Sequence, residues 1–116
     1  MSITKYNLEE RTFNFSEKLI DLCKIIPKNT LTFPIIDQLI RSGTSIGANY
    51  REANGASSKK DFKNKIHICK KEVKETEYWL ELLVKSSLTH TVDCQILQKE
   101  AHELTLIFSK IAFNTK

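Results

Sequence analysis

The chain predicts an all-α fold, an up-down-up-down antiparallel four-helix bundle in one domain spanning residues 1–116. Three observations carry that expectation. Apolar and small side chains recur at alternating steps of four and three in four separate segments, the spacing of a helix face that needs a partner helix. The connectors between segments are short, which favours antiparallel neighbours. Three glycines and two prolines are too few for a turn-rich β fold, and no segment alternates with a period of two.

The first segment runs from about Leu8 to Ile26. Leu8, Thr12, Phe15, Leu19, Leu22 and Ile26 make its stripe, and Phe13, Ile20 and Cys23 are expected to widen it. Pro27 stops it, because proline lacks an N–H and disfavours helical geometry in the preceding residue. The second segment runs from about Phe33 to Asn54, with Pro34 in the first turn and Thr32 placed to cap it. Ile35, Leu39, Ser42, Ile46, Asn49 and Ala53 form one seam, with Ile36, Ile40, Gly43, Gly47 and Tyr50 beside it. Two interior glycines each cost a helix about 1 kcal/mol relative to alanine. The small residues Ser42 to Ala48 are therefore read as a tight helix–helix contact, the alternative being a locally weak or bent helix.

Ser58 followed by Asp61 is a capping-box pattern that opens the third and longest helix. Its seam is Phe62, Ile66, Cys69, Val73, Thr76, Leu80 and Leu83, and it should fade near Ser86. The fourth segment runs from about Val92 to Asn114, with Leu97, Ala101, Leu104, Phe108 and Ile111 inward and Asp93 at the positive helix start.

The formal charge of +4 is mildly basic and permits an acidic partner without demanding one. Met1 to Glu10 has no apolar leader core, and no apolar run approaches the roughly 20 residues needed to cross a bilayer. Cys23, Cys69 and Cys94 are odd in number, widely spaced and each inside a helical pattern, which fits buried free thiols in a reducing cytoplasm.

Charge on the third helix is divided along its length. Between Lys59 and Lys74 seven lysines stand against Asp61 and Glu72, whereas Glu75, Glu77 and Glu81 make the next turns acidic. With Phe62 at zero and about 100° per residue, Lys60, Lys63, His67, Lys70 and Lys74 fall at about 80° to 160°. They form one stripe, whose Lys60, Lys63, Lys70 and Lys74 are the candidate phosphate contacts, with Arg51 on the second helix, the nearest arginine in sequence, expected to support them. Such a stripe is either a solvated face or a surface for backbone phosphates of RNA or DNA. Lacking arginine and aromatic interleaving, it is not built for reading bases. On the opposite flank Ile68, Glu75, Trp79 and Leu82 fall at about −100° to −160°. Either these apolar groups widen the core of one copy, or they form a contact between copies. Lys71 is spaced to pair with Glu75.

No pattern specifies a reaction. Gly43 to Gly47 lacks the strand context of a phosphate loop. His90 and Cys94 lack two further zinc ligands, and no Glu-x-x-His pair marks a di-metal bundle. No serine sits in a nucleophile elbow. No metal, cofactor, small-molecule substrate or catalytic residue is expected.

The run Gln38-Leu39-Ile40-Arg41-Ser42-Gly43-Thr44-Ser45-Ile46-Gly47-Ala48-Asn49-Tyr50-Arg51-Glu52-Ala53, with Ser58, Asp61-Phe62 and Glu75-Thr76-Glu77-Tyr78-Trp79-Leu80, resembles a known family. It is similar to the four-helix-bundle proteins encoded within intervening sequences of bacterial 23S ribosomal RNA genes, over about Leu8 to Ile111. A related group, the accessory variability determinants of diversity-generating retroelements, has the same barrel and is linked to nucleic acid. The resemblance implies a ring assembly, a homopentamer. It also implies that Gln38, Arg41, Ser45, Asn49, Glu52 and Glu75 are polar motif residues, expected to bond between helices or subunits. The expected function is a non-enzymatic, oligomeric bundle contacting nucleic-acid phosphates. The competing expectation is a protein–protein scaffold.

Overall fold

Four helices in chain order account for the architecture: α1 (Leu8–Ile25), α2 (Thr32–Asn54), α3 (Lys59–Ser86) and α4 (Thr91–Asn114). The computed structural model describes residues 7–115, so residues 1–6 of the Met1 to Glu10 stretch lie outside the description, as does residue 116. Each helix packs on the next, α4 returns to α1, and nothing crosses a diagonal, so the four form a square. Its extents are 44 × 22 × 20 Å. Cross-links fix the directions. Asn54 at the end of α2 bonds Glu9 at the start of α1, and Glu52 pairs with Lys65 while Arg41 reaches Glu72, so α3 runs against α2.

The seams explain the packing. All six residues of the α1 stripe from Leu8 to Ile26 are buried, as are Ile66, Cys69, Val73, Thr76, Leu80 and Leu83 of α3. Three residues assigned inward lie outward instead: Phe13 is 51% exposed, Ile20 37% and Ile40 37%. The stripes of α1 and α2 are narrower than drawn, because the two helices approach so closely that flanking positions are squeezed out. That approach is made by the glycines. A Cβ on Gly43 would overlap Leu19 Cδ2, and one on Gly47 would stand 3.0 Å from Thr12 Oγ1. The small-residue cluster is thus a tight helix–helix contact.

Ser58 caps α3 as its spacing implies, accepting the Asp61 N–H at 3.0 Å. Thr32 does not cap α2. The Asn29 side chain does, accepting from the N–H groups of Leu31 (2.9 Å) and Thr32 (3.0 Å), while the Thr32 hydroxyl turns back to the Pro27 carbonyl at 2.7 Å. An asparagine side chain mimics a turn of backbone here, freeing the threonine to tie down the connector.

Candidate nucleic-acid interface

Lys60 and Lys74 are exposed, and Lys63 and Lys70 are half-buried, their stems lying along the helix. Neighbouring helices fix where this stripe faces. On one side of α3, Lys65, Glu72 and Glu75 reach α2. On the other, Glu77 accepts from the Thr105 hydroxyl and lies 3.4 Å from His102 Nδ1, both on α4. The lysine stripe therefore lies just outside the α3–α4 seam. Among the described residues Lys60, Lys63, Lys70 and Lys74 enter no ion pair, whereas Lys65 is held by Glu52 at 2.7 Å.

Helix electrostatics opposes this arrangement. The N-terminal end of a helix carries partial positive charge and is stabilised by acids, and the C-terminal end by bases. In α3 the lysines crowd the first half and Glu75, Glu77 and Glu81 the second. The distribution weakens the isolated helix and concentrates positive potential at one end of the bundle.

Arg51 does not join the stripe. Its guanidinium stands 5.6 Å over the Phe13 ring of α1, on the far side of α2 from α3.

The other flank of α3 is partly spent inside the protomer. Trp79 is half-buried against the core, and its Nε1–H donates to Glu75 Oε2 at 3.1 Å. Tyr78 meets its ring edge-on, with centroids 5.0 Å apart. Glu75 also receives the Arg41 guanidinium, which lies 3.4 Å from the buried Glu72 carboxylate and donates to Gln38 Oε1 at 3.3 Å. The Trp79 and Arg41 donors hold the Glu75 carboxyl below the usual carboxylate range. The Lys71–Glu75 pair is not formed, because Arg41 and Trp79 occupy Glu75. Ile68 and Leu82 sit half-buried along the same flank.

Of the polar motif residues, Gln38, Arg41 and Glu75 share this cluster, and Glu52 bridges to α3 through Lys65. Ser45 and Asn49 bond backward within α2, to the carbonyls of Arg41 (2.6 Å) and Ser45 (2.8 Å). Two polar features escaped the sequence reading. One is Glu72, 8% exposed beside the α3 seam. The other is the Arg11 cluster, where Nε and Nη2 grip both oxygens of Glu100 at 2.6 and 2.9 Å and Nη2 also reaches Glu103 at 2.7 Å. The residues of that cluster lie 89 to 92 positions apart, so no local spacing announces it.

A four-helix bundle of this form is a family architecture. The profile of the 23S rRNA-intervening sequence protein family matches residues 4–110, and the chain belongs to that family. A crystal structure of a protein of unknown function, from the S23 ribosomal protein family of Bacteroides thetaiotaomicron VPI-5482, shares the fold. It superposes with a TM-score of 0.81 at 36% identity, covering 90% of this chain and 96% of the other. No match is found among proteins of curated function. Among the described residues no helix is long and apolar enough to cross a membrane, and no group of three acidic, histidine or cysteine side chains is placed to hold a metal.

Proposed function

We propose that this protein is a non-enzymatic, self-associating bundle of the cytoplasm that holds RNA or DNA backbone phosphates on the lysine face of α3. One observation carries the reading: four lysines that enter no ion pair among the described residues line one side of the first half of α3. Self-association, in the five-membered ring that the family resemblance implies, repeats that stripe around an assembly. Three buried unbridged thiols suit a reducing compartment.

The test is binding of a structured RNA across a salt series. Replacing Lys60, Lys63, Lys70 and Lys74 by alanine should flatten the plot of log affinity against log salt by about three units of slope, since each neutralised phosphate contributes roughly 0.7 to 0.9. An unchanged slope, or no binding at any salt, overturns the reading. The half-buried apolar flank of Ile68, Trp79 and Leu82 favours a second reading, a protein–protein scaffold whose lysines serve solubility. In that case the assembly persists with no RNA bound.

A further inference from the structure

The lysine stripe has an aromatic neighbour that α3 itself does not supply. Phe113, near the end of α4, is 72% exposed, and Leu106, seven residues before it, is 57% exposed. With the buried Ala101 at zero and about 100° per residue, His102, Leu106 and Phe113 fall at about 100° to 140° on the α4 wheel. His102 lies 3.4 Å from Glu77, so this side of α4 is the one turned toward α3. The two large apolar groups therefore border the α3–α4 seam from the α4 side, as the lysines border it from α3.

The heights agree as well. Thr105 meets Glu77, and the short connector makes α3 and α4 antiparallel. Phe113 lies eight residues beyond Thr105, which brings it level with Cys69, eight residues before Glu77. At that height the stripe presents His67 and Lys70, and Lys110 stands one turn back on α4. By the same count Leu106 falls within a turn of Lys74. The acids of α3 at these heights are turned away, Glu72 and Glu75 toward Arg41 of α2. An exposed ring thus stands beside a cationic track that runs about 21 Å from Lys60 to Lys74.

A charged track beside an open aromatic face suits a single strand of nucleic acid, whose phosphates follow the charges while a base lies on the ring. In a duplex the base faces are covered by one another, and such a ring has nothing to stack on. We infer that the nucleic acid held by this face is single-stranded, with its phosphates on Lys60, Lys63, Lys70 and Lys74 and one base stacked on Phe113. Leu106 is the apolar shelf beside that base. Every base has a stacking face, so the contact tolerates any sequence and needs no arginine at a base edge. The inference rests on the proposed function and narrows the ligand class within it.

The test compares three probes on the full-length protein across a salt series: a single-stranded oligouridylate, the same strand paired with its complement, and an abasic strand of equal length. The wild type should prefer the base-bearing single strand. Phe113→Ala should lose roughly five- to a hundred-fold on that probe and little on the abasic strand. Phe113→Trp should keep the preference. Phe113→Leu, which keeps the apolar bulk without a ring face, should lose it, and serves in place of the alanine variant should that one fail to fold. None of these changes should alter the salt slope, which belongs to the lysines. If Phe113→Ala and Phe113→Leu bind as the wild type does, or the wild type prefers the duplex, stacking on a single strand is overturned and the phosphate reading stands. A lower assembly mass for Phe113→Ala by light scattering, with RNA affinity unchanged, gives the ring to a contact between proteins and overturns the inference equally. Absence of binding to every probe at every salt overturns the phosphate reading itself.

Discussion

Gly47 of α2 lies against Thr12 of α1 so closely that a Cβ on the glycine would stand 3.0 Å from Thr12 Oγ1 and 3.3 Å from Thr12 Cβ. Thr12 has little room to yield, since it is 1% exposed and its hydroxyl is tied to the Leu8 carbonyl at 2.6 Å. Gly47→Ala gains about 1 kcal/mol of helix propensity. Against that stands overpacking of about 1–3 kcal/mol. The variant should be destabilised by roughly 1 kcal/mol in urea unfolding. Gly43→Ala should lose more, because its methyl would displace the fully buried Leu19. If either alanine stabilises the protein, the two helices do not approach this closely at the glycines.

Acid should find the Arg41–Glu75–Trp79 cluster first. The Glu75 carboxyl is held below its ordinary value of 4.5 by the Trp79 indole N–H and by Arg41. A carboxyl whose folded pKa is depressed adds stability that is present above the ordinary value and is lost as pH falls through the folded one. Wild-type thermal stability should therefore decline below about pH 4.5, and Glu75→Gln should flatten that part of the profile while leaving the shape above pH 6 unchanged. Trp79 fluorescence should change over the same pH range. Superimposable acid profiles for the two proteins would remove Glu75 from the account.

The sequence makes the seams legible because burial at steps of four and three is a local property of a helix. Every member of the α1 stripe and all but the half-buried Phe62 of the α3 seam are buried as read. Periodicity places the centre of a buried stripe but not its width, which depends on how near the next helix comes. Phe13, Ile20 and Ile40 fall outside for that reason. The capping serine of α3 is visible because its partner lies three residues away. The Arg11–Glu100 grip is invisible because its partners meet only after the chain has turned three times. On the candidate site, the lysine stripe is a wheel property, so its direction beside the α3–α4 seam follows from local spacing. Sequence proximity alone groups Arg51 with it, and the helix turns Arg51 to the opposite side, over Phe13.

The three thiols should be silent in the native protein. Cys23, Cys69 and Cys94 are all buried, and burial pushes Cys23 up to about 11 and Cys69 to about 12, with Cys94 raised as well. The thiolate is the reactive form, and these groups are both protonated and covered. A disulfide-exchange reagent at pH 7.5 should label none of them in buffer and all three in denaturant. The same shifts lower stability at high pH. The contribution of neutral thiols is complete below the ordinary value of 9.0 and fades as pH climbs toward the folded values. Fast labelling of one thiol in the native state would mark a local opening that the packing does not show.

Opening should begin between α1 and α4. These helices touch least of all neighbouring pairs, and a cavity of about 590 Å³ lies along their seam. What spans the seam there is the Arg11 grip on Glu100 and Glu103. All three side chains are partly exposed, so the cluster is worth no more than about 1 kcal/mol even with its two-pronged geometry. Arg11→Met keeps the apolar stem and removes the charge. It should cost up to about 1 kcal/mol overall. Its local effect should be larger than its global one, with amide hydrogen exchange accelerating in α1 and α4 and little changed in the α2–α3 pair, whose seam is held by Arg41 and Lys65. An even acceleration across all four helices would show that the bundle opens as one unit and that Arg11 guards no particular seam.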